Sequence, residues 1–268
     1  MELALKDCAA PIKGPTTMKR LLALVLTSLV MTSGAAVAKD KTWPLLPKGT
    51  RIGVVNILDP EIMHYHAARQ TINSYVKIQP VKWNVDEMLL AALQAQPAAA
   101  NLSLTPVAPT DSLLRARESC FVNAALAKGL AKTCSAALVE LASSAEVSYL
   151  VVMAPGLNNT DHSDGGPRLE ISSTLRGWGF VTHEFAGSKD KPNLFCEVEL
   201  LLIAVTPEGA SLRARQWGGS YNYQWQAYTV PPDPKVFPPE QIEQLQPLFA
   251  TILERQAKDF MEQVHVEQ

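Results

Sequence analysis

The segment Asn193–Thr206 reads NLFCEVELLLIAVT, and from Leu200 to Val205 every position in it is apolar. A strand with one wet face alternates apolar and polar residues, whereas a strand covered on both faces need not. This segment therefore belongs inside a sheet. Val147–Met153 (VSYLVVM) has the same character and is expected to be central too. On either side of the first segment, Arg168–His183 and Ser211–Tyr223 read as strands, the second joined to it by the tight turn Pro207-Glu208-Gly209. These three strands should form an antiparallel meander.

The first half of the chain interleaves strands with helices. Arg51–Leu58 (RIGVVNIL) supplies β-branched bulk at Ile52, Val54 and Val55 and is ended by Asp59-Pro60. Ile62–Ala67 is expected to be its hairpin partner, and Tyr75–Val81 a further extended piece. Asn84 with Glu87 three residues on makes a capping box that opens a helix over Val85–Gln94. Leu102–Val107 alternates as a short strand, and Thr110-Asp111 opens another helical region. Leu126, Leu130, Cys134, Leu138 and Leu141 recur at helical spacing. After a proline-rich linker, Glu240–Val264 reads as a closing amphipathic helix with a kink at Pro247. The expected fold class is α/β. It is a single mixed β-sheet, parallel in the first half and an antiparallel meander in the second, with helices packed on it.

Residues 18–38 carry a different signal. Met18-Lys19-Arg20 precedes an apolar run from Leu21 to Met31, and small residues follow to Ala36-Val37-Ala38. That is the order of a secretory signal peptide with cleavage after Ala38, and the run is shorter than the roughly 18 residues that span a bilayer. The expected organisation is an upstream extension plus signal peptide over 1–38, an arm over 39–49 and one mixed α/β domain over 50–264. Loss of Lys6, Lys13, Lys19 and Arg20 with Glu2 and Asp7 takes the formal charge from −2 to about −4. No cluster of Lys and Arg offers a nucleic-acid surface. No apolar stretch after Ala38 is long enough for an integral membrane segment. These features point to a soluble periplasmic or secreted protein.

Three cysteines follow the leader: Cys120, Cys134 and Cys196. An oxidising compartment favours a Cys120–Cys134 bridge. A straight helix between them would hold the pair about 21 Å apart, so a bridge requires a bend, with Gly129 the natural place. The alternative is two buried thiols on one helix face. Cys196 sits in a core-strand sequence (LFCEVEL), which suits packing better than nucleophilic chemistry.

Several groups are candidates for function, and each also has a plainer reading. His64 and His66 flank Tyr65 on an extended segment, so both imidazoles point to one face and could share a divalent metal. Asp59, Glu61 and Glu87 are the nearby acids, and otherwise the histidines are solvated. The loop Pro155–Pro167 (PGLNNTDHSDGGP) is long and lacks apolar periodicity. Its Asp161, His162 and Asp164 could serve a hydrolase, or simply form a flexible connection. Trp217, Tyr221, Tyr223 and Trp225 share one parity and could stack on a glycan or peptide, or pack beneath the terminal helix. Glycines in Arg176–Phe180 (RGWGF) suggest a bulge or a close backbone approach. No G-x-S-x-G, H-E-x-x-H, Walker or dinucleotide-binding pattern occurs.

RIGVVNIL, VSYLVVM, LLLIAVTPEGASL and the closing helix follow one another in an order that resembles the N-terminal domain of the TolB translocation protein and related envelope components. The similarity covers roughly residues 50–264 as a pattern. It implies an assembly or interaction role in the envelope without catalysis. The cleavage region Ala36-Val37-Ala38-Lys39 lacks the lipid-accepting cysteine of the lipoprotein members. The leading expectation is an exported protein that binds an envelope protein or a glycan through a sheet edge or the aromatic segment, with no cofactor. A hydrolase beside Pro155–Pro167 and a metal-binding protein using His64 and His66 are the alternatives.

Overall fold

Among the described residues nine strands form one mixed sheet: β1 (Thr50–Asn56), β2 (Glu61–Ala67), β3 (Tyr75–Pro80), β4 (Leu102–Pro106), β5 (Tyr149–Pro155), β6 (Gly177–His183), β7 (Asn193–Thr206), β8 (Gly209–Gln216) and β9 (Tyr223–Gln224). The order runs β3-β2-β6-β7-β5-β1-β4, and β8 and β9 also pair with β7. This is a computed structural model that describes residues 45–68, 73–122, 130, 132–156, 177–183, 191–216, 223–231, 233 and 235–267. All of them fall in the unit Thr42–Gln268. The leader and cleavage region over 1–38 lies outside the described residues. So do Asp161, His162, Asp164, Trp217 and Tyr221.

β7 is the hub. Its residues 193–197 pair with β6 and its residues 198–204 with β5, both antiparallel, while β8 and β9 add antiparallel pairing at 200–206 and 193–194. Every residue from Leu194 to Val205 is buried, which is why the segment lacks alternation. The pairs β1–β4, β1–β5 and β2–β6 are parallel.

The sheet departs from expectation in the first half. β2 does not pair with β1: it pairs antiparallel with β3 and parallel with β6, so the parallel and antiparallel parts are interleaved rather than split between halves. Asp59-Pro60 ends β1 without closing a hairpin, and the chain runs on into β2 beside β6. The arm over 39–49 is also more than a lead-in. Leu46 is buried and bridges in parallel to Val266, with Leu46 N–H donating to His265 O at 2.8 Å and Glu267 N–H to Leu46 O at 2.9 Å.

Helices α1 (Val85–Gln94) and α5 (Gln246–Met261) belong to the core on one sheet face, where Leu89, Leu93, Phe249, Ile252, Leu253 and Phe260 are buried with the even-numbered side chains of β7. The capping box is present: Asn84 Oδ1 accepts from Glu87 N–H at 3.2 Å, and Asn84 Nδ2 donates to Glu87 Oε2 at 3.1 Å. The expected terminal helix is broken in two, α4 (Pro239–Glu243) and α5. Pro247 does not kink a continuous helix; it sits in the first turn of α5, where its missing N–H costs nothing. On the opposite face, α2 (Asp111–Arg117), a π-type turn over Glu118–Val122 and α3 (Lys132–Ser144) bury Leu113, Phe121, Leu138 and Leu141 against Leu201, Ile203 and Val205.

Cys120 and Cys134 are joined, with Cα atoms 5.4 Å apart. That distance rules out a straight helix between them, and Leu130, which lies between the two cysteines, is not helical. Two polar links sit inside β7. Arg215 donates through Nε and Nη2 to Glu199 Oε2 and Oε1, both at 2.9 Å, and the two side chains are almost fully buried. Gln256 of α5 donates to Cys196 O at 3.4 Å and accepts from the Cys196 thiol at 3.7 Å. Burial and the neighbouring Glu197 charge push that thiol well above its ordinary range. Cys196 is a packed, protonated side chain.

Gly179 meets the close approach expected of the RGWGF segment: a Cβ there would lie 2.0 Å from Met63 O and 2.4 Å from Phe195 Cζ. Gly179→Ala should cost about 3 kcal/mol in urea-induced unfolding, because the neighbours are a paired backbone and a core ring. Replacing both Cys120 and Cys134 by serine should cost a similar amount, about 3 kcal/mol for a loop of this length, in the same measurement under non-reducing conditions.

Candidate functional site

Two places on the sheet gather chemistry-bearing side chains. The first is built on β2 and β6. Their parallel register sets His64 beside Phe180 and His66 beside Thr182, and the two-residue period sends both imidazoles and the threonine hydroxyl to one face. His64 Nε2 and His66 Nδ1 lie 2.8 and 2.9 Å from Thr182 Oγ1. The two histidines thus converge, as their spacing predicts, but on a hydroxyl. Among the described residues no group of three or more His, Cys, Asp or Glu side chains is placed to hold a metal ion.

His64 is 1% exposed and sits in an aromatic box. Its ring stacks on Phe180 at 4.6 Å between centroids and meets Phe237 edge-on at 4.8 Å and Tyr75 at 5.5 Å. His66 stacks on Tyr75 at 4.9 Å. Burial, and then the neighbouring His66, push the His64 pKa down to about 3, so its ring is neutral. His64 Nδ1 has no hydrogen-bond partner among the described residues. A neutral ring carries one N–H, and the cheaper arrangement leaves the bare nitrogen in the apolar box. That makes Nε2–H the donor to Thr182 Oγ1, and the threonine hydroxyl then donates to His66 Nδ1. The chain of bonds runs one way, from the core toward the half-buried His66.

The aromatic strip divides. Trp225 is fully buried, against Phe180, Tyr228 and Phe237, and so is not an open stacking platform. Tyr223 is half-buried and packs on the same cluster. The parity argument correctly put these two on one face, but that face is the core. Its cover is not only a helix: Tyr228 and Phe237, on the proline-rich linker, close over it.

The second place is a recess of about 160 Å³ beyond the carboxyl ends of β1 and β5, bordered by Pro155 and Gly177. Open α/β sheets commonly present their ligand crevices at such strand ends. Asp59, Glu61 and Arg117 line it together with Trp178, Met63 and Ile78. Arg117 donates through Nη1 and Nη2 to Asp59 Oδ1 and Oδ2, both at 2.6 Å, and Nη1 also reaches Ile57 O at 3.4 Å. The Glu61 carboxyl is held above its usual range, first by burial and then by the Asp59 charge, with Arg117 pulling the other way.

The three acids near the histidine pair therefore have three separate fates. Asp59 binds Arg117, Glu87 caps α1 and Glu61 lines the recess. Sequence reasoning missed Thr182 and Arg117. Thr182 lies more than a hundred residues from the histidines, and only the β2–β6 register brings it to them.

The His64 box has a direct pH consequence. Between its folded value of about 3 and the ordinary 6.5, the unfolded chain binds a proton that the folded one refuses. Stability from this site is therefore complete above pH 6.5 and falls as the pH drops toward 3, by up to about 1.4 kcal/mol per pH unit. His64→Phe keeps the stack on Phe180 and should flatten the decline in melting temperature between pH 6.5 and 4, as read by circular dichroism. Neither a protein-family model, nor a curated protein, nor a solved structure gives a significant match to this chain.

Proposed function

We propose that this protein is an exported envelope component that binds a partner protein as an added strand along the outer edge of β3. The observation that carries this reading is the edge itself. β3 stands at the end of the strand order, and no strand among the described residues pairs with its outer side. Val76 and Ile78 are 37% and 53% exposed, on the same face as their register partners Tyr65 and Met63 on β2. An open edge carrying aliphatic side chains is where an extended peptide gains main-chain hydrogen bonds and apolar contact together. Lys77 at its centre and Pro80 at its end are devices that discourage indiscriminate pairing.

Other features support export and an interaction role. The Met18–Ala38 segment has the layout of a cleavable leader. The Cys120–Cys134 bridge suits an oxidising compartment. No helix among the described residues is long and apolar enough to cross a membrane. The pattern resemblance to the TolB N-terminal domain carries the same implication of protein contact. An extended peptide is favoured over a glycan because Trp225, part of the aromatic strip, is inside the core.

The test is site-specific photo-crosslinking in the source envelope. A photoreactive residue at Lys77 should give one discrete protein adduct, and the same residue at Ser103, on β4 at the other end of the strand order, should not. Val76→Lys should reduce the Lys77 adduct at least fivefold. Equal labelling from both edges, or an adduct indifferent to Val76→Lys, would count against the reading.

A further inference from the structure

The recess at the ends of β1 and β5 goes beyond the edge reading and does not depend on it. Its charge balance is uneven. Both oxygens of Asp59 are engaged by the Arg117 fork, which neutralises that pair within the recess wall. Glu61 is left as the one carboxylate in the lining without an ion-pair partner among the described residues. Around it the wall is apolar: Met63 and Ile78 are register partners on the Glu61 face, and Trp178 borders the space from the other face of the sheet. Trp178 is 2% exposed and packed at its back by Trp83 and Phe249, so that wall is fixed before any ligand arrives.

These features discriminate among ligand classes. An anion would need the Arg117 guanidinium, which is already committed to Asp59 and the Ile57 carbonyl. A hard divalent ion wants about six or more oxygen ligands, and one uncommitted carboxylate does not provide them. A small organic cation needs what is present: one carboxylate for the charged head and the apolar side chains of Met63 and Ile78 for the body. Size sets the scale, since a cavity of about 150 Å³ holds a benzene-sized molecule of roughly six heavy atoms.

We propose that this recess binds a small alkylammonium ion, with Glu61 as its counter-charge and Met63 and Ile78 beside its carbon body. The Glu61 pKa is raised first by burial and then by the Asp59 charge, and Arg117 offsets this only in part, which accords with a carboxylate short of positive charge. Binding of such an ion supplies the missing charge without disturbing the Arg117–Asp59 pair.

Saturation-transfer NMR on the full chain at neutral pH tests this with three probes of similar size: n-butylammonium, n-butanol and butyrate. The expected result is transfer to butylammonium, with a Kd at least fivefold lower than that of either other probe. Glu61→Gln, which keeps the side-chain shape, should raise the butylammonium Kd at least fivefold with an unchanged melting temperature. Ile78→Arg, at a half-exposed position, sets a tethered cation beside Glu61 and should compete the ligand out to the same extent. No saturable butylammonium binding, a preference below fivefold, or indifference to both substitutions would overturn the assignment. Because no partner protein enters the experiment, its outcome is separate from that of the β3 crosslinking.

Discussion

β7 runs for twelve consecutive residues where water does not reach, so its N–H and C=O groups must all find protein partners. An unmet backbone group in such a place costs on the order of 1–3 kcal/mol, and several together would exceed the net stability of a domain. One neighbour on each side is not enough for a strand of fourteen residues, because the other strands are half its length. The solution is four partners, two along each half. From this the architecture follows: β5 and β6 lie end to end along one edge of β7, with β1 then β4 beyond β5 and β2 then β3 beyond β6, while β8 and β9 take the other edge.

The polar groups that share this buried environment show which arrangements it tolerates. Glu199 is acceptable because the Arg215 fork meets both its oxygens, and removing either partner would strand a charge. Gln256 is acceptable because its amide gives to the Cys196 carbonyl and takes from the thiol. His64 achieves only half of that: one nitrogen is bonded to Thr182 and the other faces rings. It remains buried by staying neutral, and its tolerance is tied to pH in a way that the other two are not.

Much of the fold could be read from local chemistry. The unbroken apolar run of β7, the alternation of β4 and the Asn84–Glu87 box all act within a few residues, and each appears where the sequence placed it. What could not be read was pairing between distant segments. Nothing in EIMHYHA indicates that β2 joins β3 and β6 and not β1, since a strand's partner is set by which apolar faces must be covered together. The site shared that fate. The convergence of His64 and His66 followed from the two-residue period, but the hydroxyl between them depended on β6 arriving in one register. Asp59 and Arg117 meet only because α2 brings Arg117 over the end of β1. Trp225 shows the converse, where parity was right about a common face and silent on whether that face met solvent.

The parallel bridge between Leu46 and Val266 brings the two ends of the folded unit to one spot on its surface. Neighbouring ends mean that backbone connectivity is not what fixes this topology. A circularly permuted chain, joined across Leu46 and Val266 by a few residues and opened at the Glu208–Gly209 turn, would preserve every strand neighbour of β7 except the short covalent link to β8. The order in which the strands leave the ribosome would change completely, and the native contacts that define the sheet would not.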